Sequence, residues 1–297
     1  MKKDITGLFV FADDFCLAVD KYLSHFMISC GQIIKKVTRV MGMTLSEILT
    51  IELLYQQSSC KNFKYFYHSY LRLYQAEFPS LVSYNRFVEL KARILSYLIL
   101  MVRWFCEQSE KTGLSYIDAT PVAVCHSKRL YRNKVFKGLA RLGKTTKGWF
   151  FGLKLHLVIN EKGQLHRVKI TQGNTDDRTM EGLEGLLFGD KGYIKTELFQ
   201  QLHEKGIKLI TGIKKNMKNK LMPWLEKVLL RKRSIIETVF SVLKHTLELE
   251  HTRHRSTANA LVHILTTLVT YCFRANKPAI KNNHLIPNLY IDFSFQD

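Results

Sequence analysis

The chain has 297 residues, 46% hydrophobic and 11% aromatic, enough for packed cores, which excludes a disordered or low-complexity protein. Its formal net charge of +20 is uneven: residues 1–112 carry +4 and residues 113–297 carry +16. A folded segment with that excess usually faces a polyanion, most often nucleic acid, and no long basic amphipathic helix suits a membrane surface instead. The opening MKKDITGLFVFADD has acids too early for a signal peptide, and the uncharged run ALVHILTTLVTYCF is too short to span a bilayer. Six scattered cysteines without a C-x-x-C pair fit reduced thiols and predict a cytoplasmic chain with no membrane partner.

Residues 1–110 read as helical. Thr44 and Glu47 form a T-x-x-E capping box ahead of ILTIELLY, in which hydroxyl and carboxylate answer each other's backbone amides. A second helical segment covers KNFKYFYHSYLRLYQ and breaks at Pro79 and Ser80. Ser83 caps a third, YNRFVELKARILSYLILMVRWF. Three helices with short connections resemble a helix-turn-helix module as well as any small bundle. In the first case Tyr84, Asn85, Arg86 and Lys91 would face DNA.

From residue 113 the periodicity changes. SYIDATPVAVC alternates as a strand; GWFFGLKLHLVIN and QLHRVKIT are β-rich runs joined by EKG, a hairpin signal. LLFGD is a short apolar run ending in an acid, TELFQQLHEKG a helix, and IKLITGI a buried strand. A lysine-rich connection then leads to a late helix, RKRSIIETVFSVLKH. The order predicts an α/β domain with a mixed sheet and flanking helices, although residues 174–185 leave little room for a helix before LLFGD. Trp149 and Phe150 read as core aromatics, His126, His156 and His263 as core or interface residues, and the tail from Ala275 as a loosely packed extension.

Three acids stand out by position: Asp118 in the first strand, Asp190 at the end of the fourth, and Glu237 on the late helix. On that helix Ile235, Ile236, Val239, Val242 and Leu243 share one face, with Arg233, Glu237, Ser241 and Lys244 opposite. Adjacent strands and a facing helix can bring three carboxylates to one point, where self-repulsion demands cations and all-oxygen ligands favour Mg²⁺ or Mn²⁺. Two such ions at ~3.5–4 Å serve phosphodiester chemistry. Each acid has a plainer reading: a turn before Pro121, a turn in GDKG, a surface ion pair with Arg233. Asp176 and Asp177 form a rival pair.

The motifs LSEILTI, LVSYNRFVEL, YIDATP, KGWFFGLKLHLVIN, GNTDDR, LFGDKGY, KKNMKNKLMP, RSIIETVFSVLK and HTRHRS, in this order over residues 40–273, resemble DDE transposases of bacterial insertion sequences, closest to the insertion-sequence family numbered 982. The resemblance implies a ribonuclease-H-like catalytic domain, a mixed sheet with flanking helices, behind an all-α domain. It divides the chain into a helical DNA-binding domain (1–112), a catalytic domain (113–274) and a tail (275–297). It makes Asp118, Asp190 and Glu237 the catalytic, metal-binding triad for two Mg²⁺ or Mn²⁺ ions. A related signature sets Arg four before the Glu and Lys seven after; Arg233 and Lys244 match, while the Tyr expected three before the Arg is Leu230.

The cations follow the same reading. No acid stands between Cys125 and Asn160, where Lys128, Arg129, Arg132, Lys134, Lys137, Arg141, Lys144 and Lys147 accumulate. From Lys205 to Arg233 ten basic residues meet only Glu226. Arg233, Lys244, Lys191, Arg86, Lys128 and Arg129 are the expected DNA contacts. The implied activity is cleavage at the ends of a mobile element and joining of the 3′-hydroxyl to target DNA, with terminal inverted repeats and target DNA as partners and a homo-oligomer pairing the ends. A nuclease without strand transfer and a DNA-binding regulator with a dead catalytic domain are the alternatives.

Overall fold

The computed structural model describes residues 4–29, 42–58, 60–146, 148–176, 185–194, 196–204, 206–212, 222–250 and 254–280. Lys147, Asp177, the segment 213–221 with most of KKNMKNKLMP, residues 251–253 of HTRHRS, and the tail from 281 lie outside them. So do residues 177–184, where the crowded connection before LLFGD falls.

The N-terminal region is helical. Helix α1 (Ile5–Ser29) packs against α2 (Leu45–Gln57), and the capping box forms: the Thr44 amide donates to Glu47 Oε2 at 2.6 Å and the Glu47 amide to Thr44 Oγ1 at 3.1 Å. The second predicted helix is three short pieces, α3 (Phe63–Tyr65), a π turn (Phe66–Tyr70) and a 3₁₀ turn (Leu71–Tyr74), crowded with aromatic rings. The predicted third helix is α4 (Tyr84–Leu90) and α5 (Leu95–Glu107), joined by a 3₁₀ turn (Lys91–Ile94). That turn buries Lys91, so its expected place facing DNA is corrected. Its ammonium pairs with Glu52 at 2.7 Å and lies 4.6 Å from the Phe63 ring centroid, both side chains under a tenth exposed.

Six strands follow among the described residues: β1 (Leu114–Cys125), β2 (Arg141–Thr145), β3 (Gly148–Ile159), β4 (Leu165–Gln172), β5 (Gly185–Gly189) and β6 (Ile207–Thr211). β3 is antiparallel to β1, which pairs in parallel with β5, and β5 in parallel with β6. β4 and β2 both pair antiparallel with β3, at residues 153–159 and 148–152. The EKG hairpin is present: Asn160 Oδ1 accepts from the Lys162 and Gln164 amides, and Gly163 takes φ 68°. This is the predicted mixed sheet with flanking helices of a ribonuclease-H-like fold.

Strand β2 escapes sequence reading because its residues, RLGKT, show no apolar alternation and are mostly exposed. Trp149 corrects another expectation. It is 61% exposed beside Lys144, whose ammonium is 5.6 Å from its ring centroid, because the β2–β3 ribbon leaves that side open. His156 and His263 are buried as expected, but His126 is exposed and caps the 3₁₀ turn after β1.

Both faces of the sheet are covered. On one, Ile117, Val158, Leu187, Ile207 and Leu209 cluster with Leu198 and Leu202 of α6 (Thr196–Glu204). On the other, Tyr116, Leu155, Leu157 and Phe188 join a continuous core with α2, α5, α8 (Ser234–Ser241) and α9 (Thr257–Cys272). Helix α7 (Trp224–Arg231) leads into α8. The uncharged run ALVHILTTLVTYC is thus the buried helix α9, and no helix among the described residues is long and apolar enough to cross a membrane. Two of its buried polar residues are tied to neighbouring elements: Gln56 Nε2 on α2 lies 3.1 Å from His263 Nδ1 and 2.7 Å from Thr267 Oγ1, and His263 Nε2 lies 2.9 Å from the Glu248 carbonyl. The start of the predicted loose tail is pinned instead, with the Ile280 amide donating to the Glu161 carbonyl at 2.8 Å.

Candidate active site

The parallel ladder between β1 and β5 pairs Leu114 with Leu186, Ser115 with Leu187 and Tyr116 with Phe188. Two residues further along each strand stand Asp118 and Asp190. Side chains alternate with period two, so Asp118 projects on the face of Tyr116. The Tyr116 and Phe188 rings stack at 5.4 Å on that face. The backbone at Asp190 is still extended (φ −78°, ψ 173°), which keeps this acid at the matching register position. Its carboxylate accepts the Gly192 amide and caps the turn Lys191–Tyr193.

Helix α8 lies over the same face. Ile235, Ile236, Val239 and Phe240 bury against the sheet core, which leaves Arg233 and Glu237, one turn apart, on the side nearest Asp118. Arg233 joins the two elements: Nη1 donates to Asp118 Oδ2 at 3.3 Å and Nη2 to Glu237 Oε1 at 3.1 Å. Asp118 Oδ1 accepts the Ala119 amide at 2.8 Å. The side chains of Asp118, Arg233 and Glu237 are 25%, 23% and 61% exposed, so the group sits at the rim of the core, open to solvent on the helix side.

The π turn Val242–Thr246 follows α8 and brings Leu243 into the core, leaving Val242 only half-buried. It also carries Lys244 round to the sheet, where its ammonium donates to the Pro121 carbonyl at 2.7 Å and pairs with Glu250 at 2.6 Å. Lys244 therefore straps helix to strand three residues past Asp118. Sequence reading missed this tie because the helical projection runs straight through the π turn.

Among the described residues no three His, Cys, Asp or Glu side chains group closely enough to hold a metal ion. The reason is visible: the Arg233 guanidinium stands between two of the acids and Asp190 is turned into its own loop. A cation held by two carboxylates on separate elements nonetheless marks an all-oxygen donor set with the charge a divalent ion needs.

The remaining predicted contacts are spread out. Lys191 is exposed, with its stem against Gly212 at the end of β6. Lys128 and Arg129 are exposed on the 3₁₀ turn Ser127–Arg132 beside Tyr131, whose ring is almost wholly in solvent. Tyr131 and Trp149 are exposed aromatics that sequence reasoning missed. Their signal was an aromatic embedded in an acid-free basic run. Arg86 is exposed on α4 and paired with Glu89 at 2.8 Å. Tyr84 and Asn85 line a cavity of about 1100 Å³ with Lys61, Lys64 and Arg255.

Residues 108–257, half of the chain, match the family model for the transposase DDE domain. The chain belongs to that family. The matched span runs from just before β1 to the start of α9 and contains Asp118, Asp190 and Glu237. No curated protein matches the chain. Membership implies a transposase-family enzyme acting on DNA, in a family that generally uses divalent metal ions.

Proposed function

We propose that the chain is the transposase of a bacterial insertion sequence, of the family numbered 982, and that Asp118, Asp190 and Glu237 are its catalytic, metal-binding triad. The observation that carries this reading is the Arg233 bridge between Asp118 on β1 and Glu237 on α8, beside the register position of Asp190 and inside the family match. Asp118, Asp190 and Glu237 would hold two Mg²⁺ or Mn²⁺ ions, which would supply the Lewis-acid chemistry of in-line displacement at a phosphodiester. Water attacks the phosphorus at an element end, a P–O bond forms, and the bond to the 3′-oxygen breaks to leave a 3′-hydroxyl. That hydroxyl attacks a target phosphodiester in the same way, so each step exchanges one P–O bond for another and needs no external energy source.

The chain's own residues hold the strands. Lys191, next to Asp190, presents exposed charge for a backbone phosphate, Lys128 and Arg129 present theirs on the turn after β1 with the Tyr131 ring, and Trp149 offers an aromatic face beside Lys144. In the division proposed, residues 1–112 with Arg86 read the terminal inverted repeats, residues 113–274 carry the chemistry, residues 275–297 form the tail, and a homo-oligomer pairs the ends.

The test uses labelled duplex carrying the ends that flank the gene, with purified protein, Mg²⁺ or EDTA, and an Asp190→Asn control. Nicking that needs Mg²⁺, followed by joining to a second duplex and absent from the variant, is the expected result. Cutting without joining would identify a nuclease, and binding without nicking a regulator.

A further inference from the structure

We infer that Arg233 is a counter-ion that changes partners: without a divalent cation its guanidinium bridges Asp118 and Glu237, and a cation entering between those carboxylates releases it toward the DNA backbone. The inference rests on the metal-site reading above and extends it to what the chain does before the metal arrives.

The geometry carries the argument. The two contacts use different guanidinium nitrogens, Nη1 to Asp118 Oδ2 and Nη2 to Glu237 Oε1, so one rigid fork spans acids from two elements. These acids would otherwise face each other at the same charge. The other oxygen of Asp118 is held by the amide of the next residue, which cannot leave while β1 is intact. A divalent ion needs carboxylate oxygens at about 2.0–2.6 Å, inside the space the guanidinium fills, so the arginine is the partner that has to yield. Released, a side chain at this solvent-open rim can reach a phosphate as a charge-assisted donor. The resting and loaded states thus keep the carboxylates neutralised in turn, first by the arginine and then by the metal.

The experiment measures Mn²⁺ uptake by the full chain without DNA, by electron paramagnetic resonance of the free ion, together with Tm in EDTA and in Mn²⁺. Arg233→Gln is expected to bind Mn²⁺ roughly two- to five-fold more tightly than the parent, the range set by loss of a partly exposed ion pair. It should also show a lower Tm in EDTA and a larger Mn²⁺-induced rise. Equal or weaker binding would make Arg233 a permanent support of the loaded site and overturn the exchange. Lys232→Gln removes a neighbouring exposed charge, and the same tightening there would reduce the effect to net charge and overturn it too. Should Arg233→Gln fail to fold, Arg233→Lys carries the same expectation, because one ammonium cannot span both acids as a planar fork does. Asp118→Asn separates the two readings. Uptake that this variant abolishes upholds the metal site and leaves Arg233 to be judged alone, whereas parent protein with no such uptake ends both.

Discussion

Lys91 and Glu52 show how far a single position can depart from its residue type. Both side chains are buried, and burial pushes the Glu52 carboxyl upward even with the Lys91 ammonium 2.7 Å away. Removing one partner strands the other charge. Lys91→Ala should therefore cost about 3–5 kcal/mol in urea unfolding, whereas Glu52→Leu with Lys91→Met together should recover most of the loss. A second residue sets a pH dependence. His166 on β4 lies 3.0 Å from Ser109 Oγ, and burial with nearby Arg167 and Lys111 lowers its pKa. The unfolded chain then binds the proton more readily. The contribution of His166 is full above its unfolded value near 6.5 and is lost as pH falls through and below it. The drop in Tm between pH 7 and pH 5 should be smaller in His166→Gln than in the parent.

At the scale of elements, strand packing is less forgiving than helix capping. Gly152 on β3 pairs with Ala123 of β1 on one edge and Arg141 of β2 on the other. A Cβ there would collide with the Val122 carbonyl and lie 3.0 Å from Ala123 Cα, and backbone cannot step aside as a side chain can. Gly152→Ala should destabilise the sheet by more than Thr44→Ala, which removes one half of the α2 capping box and costs about 1 kcal/mol. Thermal unfolding of the two variants gives the order directly, and equal losses would contradict it. The α8 element binds its sheet twice, through its apolar stripe and through Lys244 to the Pro121 carbonyl, which fixes Glu237 relative to Asp118.

For the molecule as a whole, charge decides the partner. The surplus of +20 falls mostly after residue 112, and the acid-free stretch between Cys125 and Asn160 puts Lys128, Arg129 and Arg132 on an exposed turn. Binding to DNA by phosphate contacts releases counter-ions, so affinity should fall steeply with salt. Neutralising Lys128 and Arg129 to Gln should reduce the slope of log affinity against log salt by roughly two. An unchanged slope would remove both from the interface.

The sequence by itself determined what depends on neighbours within a few positions. The capping box of α2, the Asn160–Gln164 hairpin, the period-two strands and the apolar stripe of α8 are local, because a hydroxyl, a glycine or an alternation acts within a turn or a pleat. The three candidate acids were legible for the same reason, each at the end or on the face of a recognisable element. Tertiary structure decided the rest. Lys91 is buried because Glu52, thirty-nine residues away, meets it. Trp149 is exposed because a basic ribbon with no apolar alternation forms β2 and leaves that ring outside. Arg233 faces inward to two carboxylates because α8 lands on β1. Such contacts join residues far apart in the chain, and their energies depend on desolvation and distance, which no pattern along the sequence encodes.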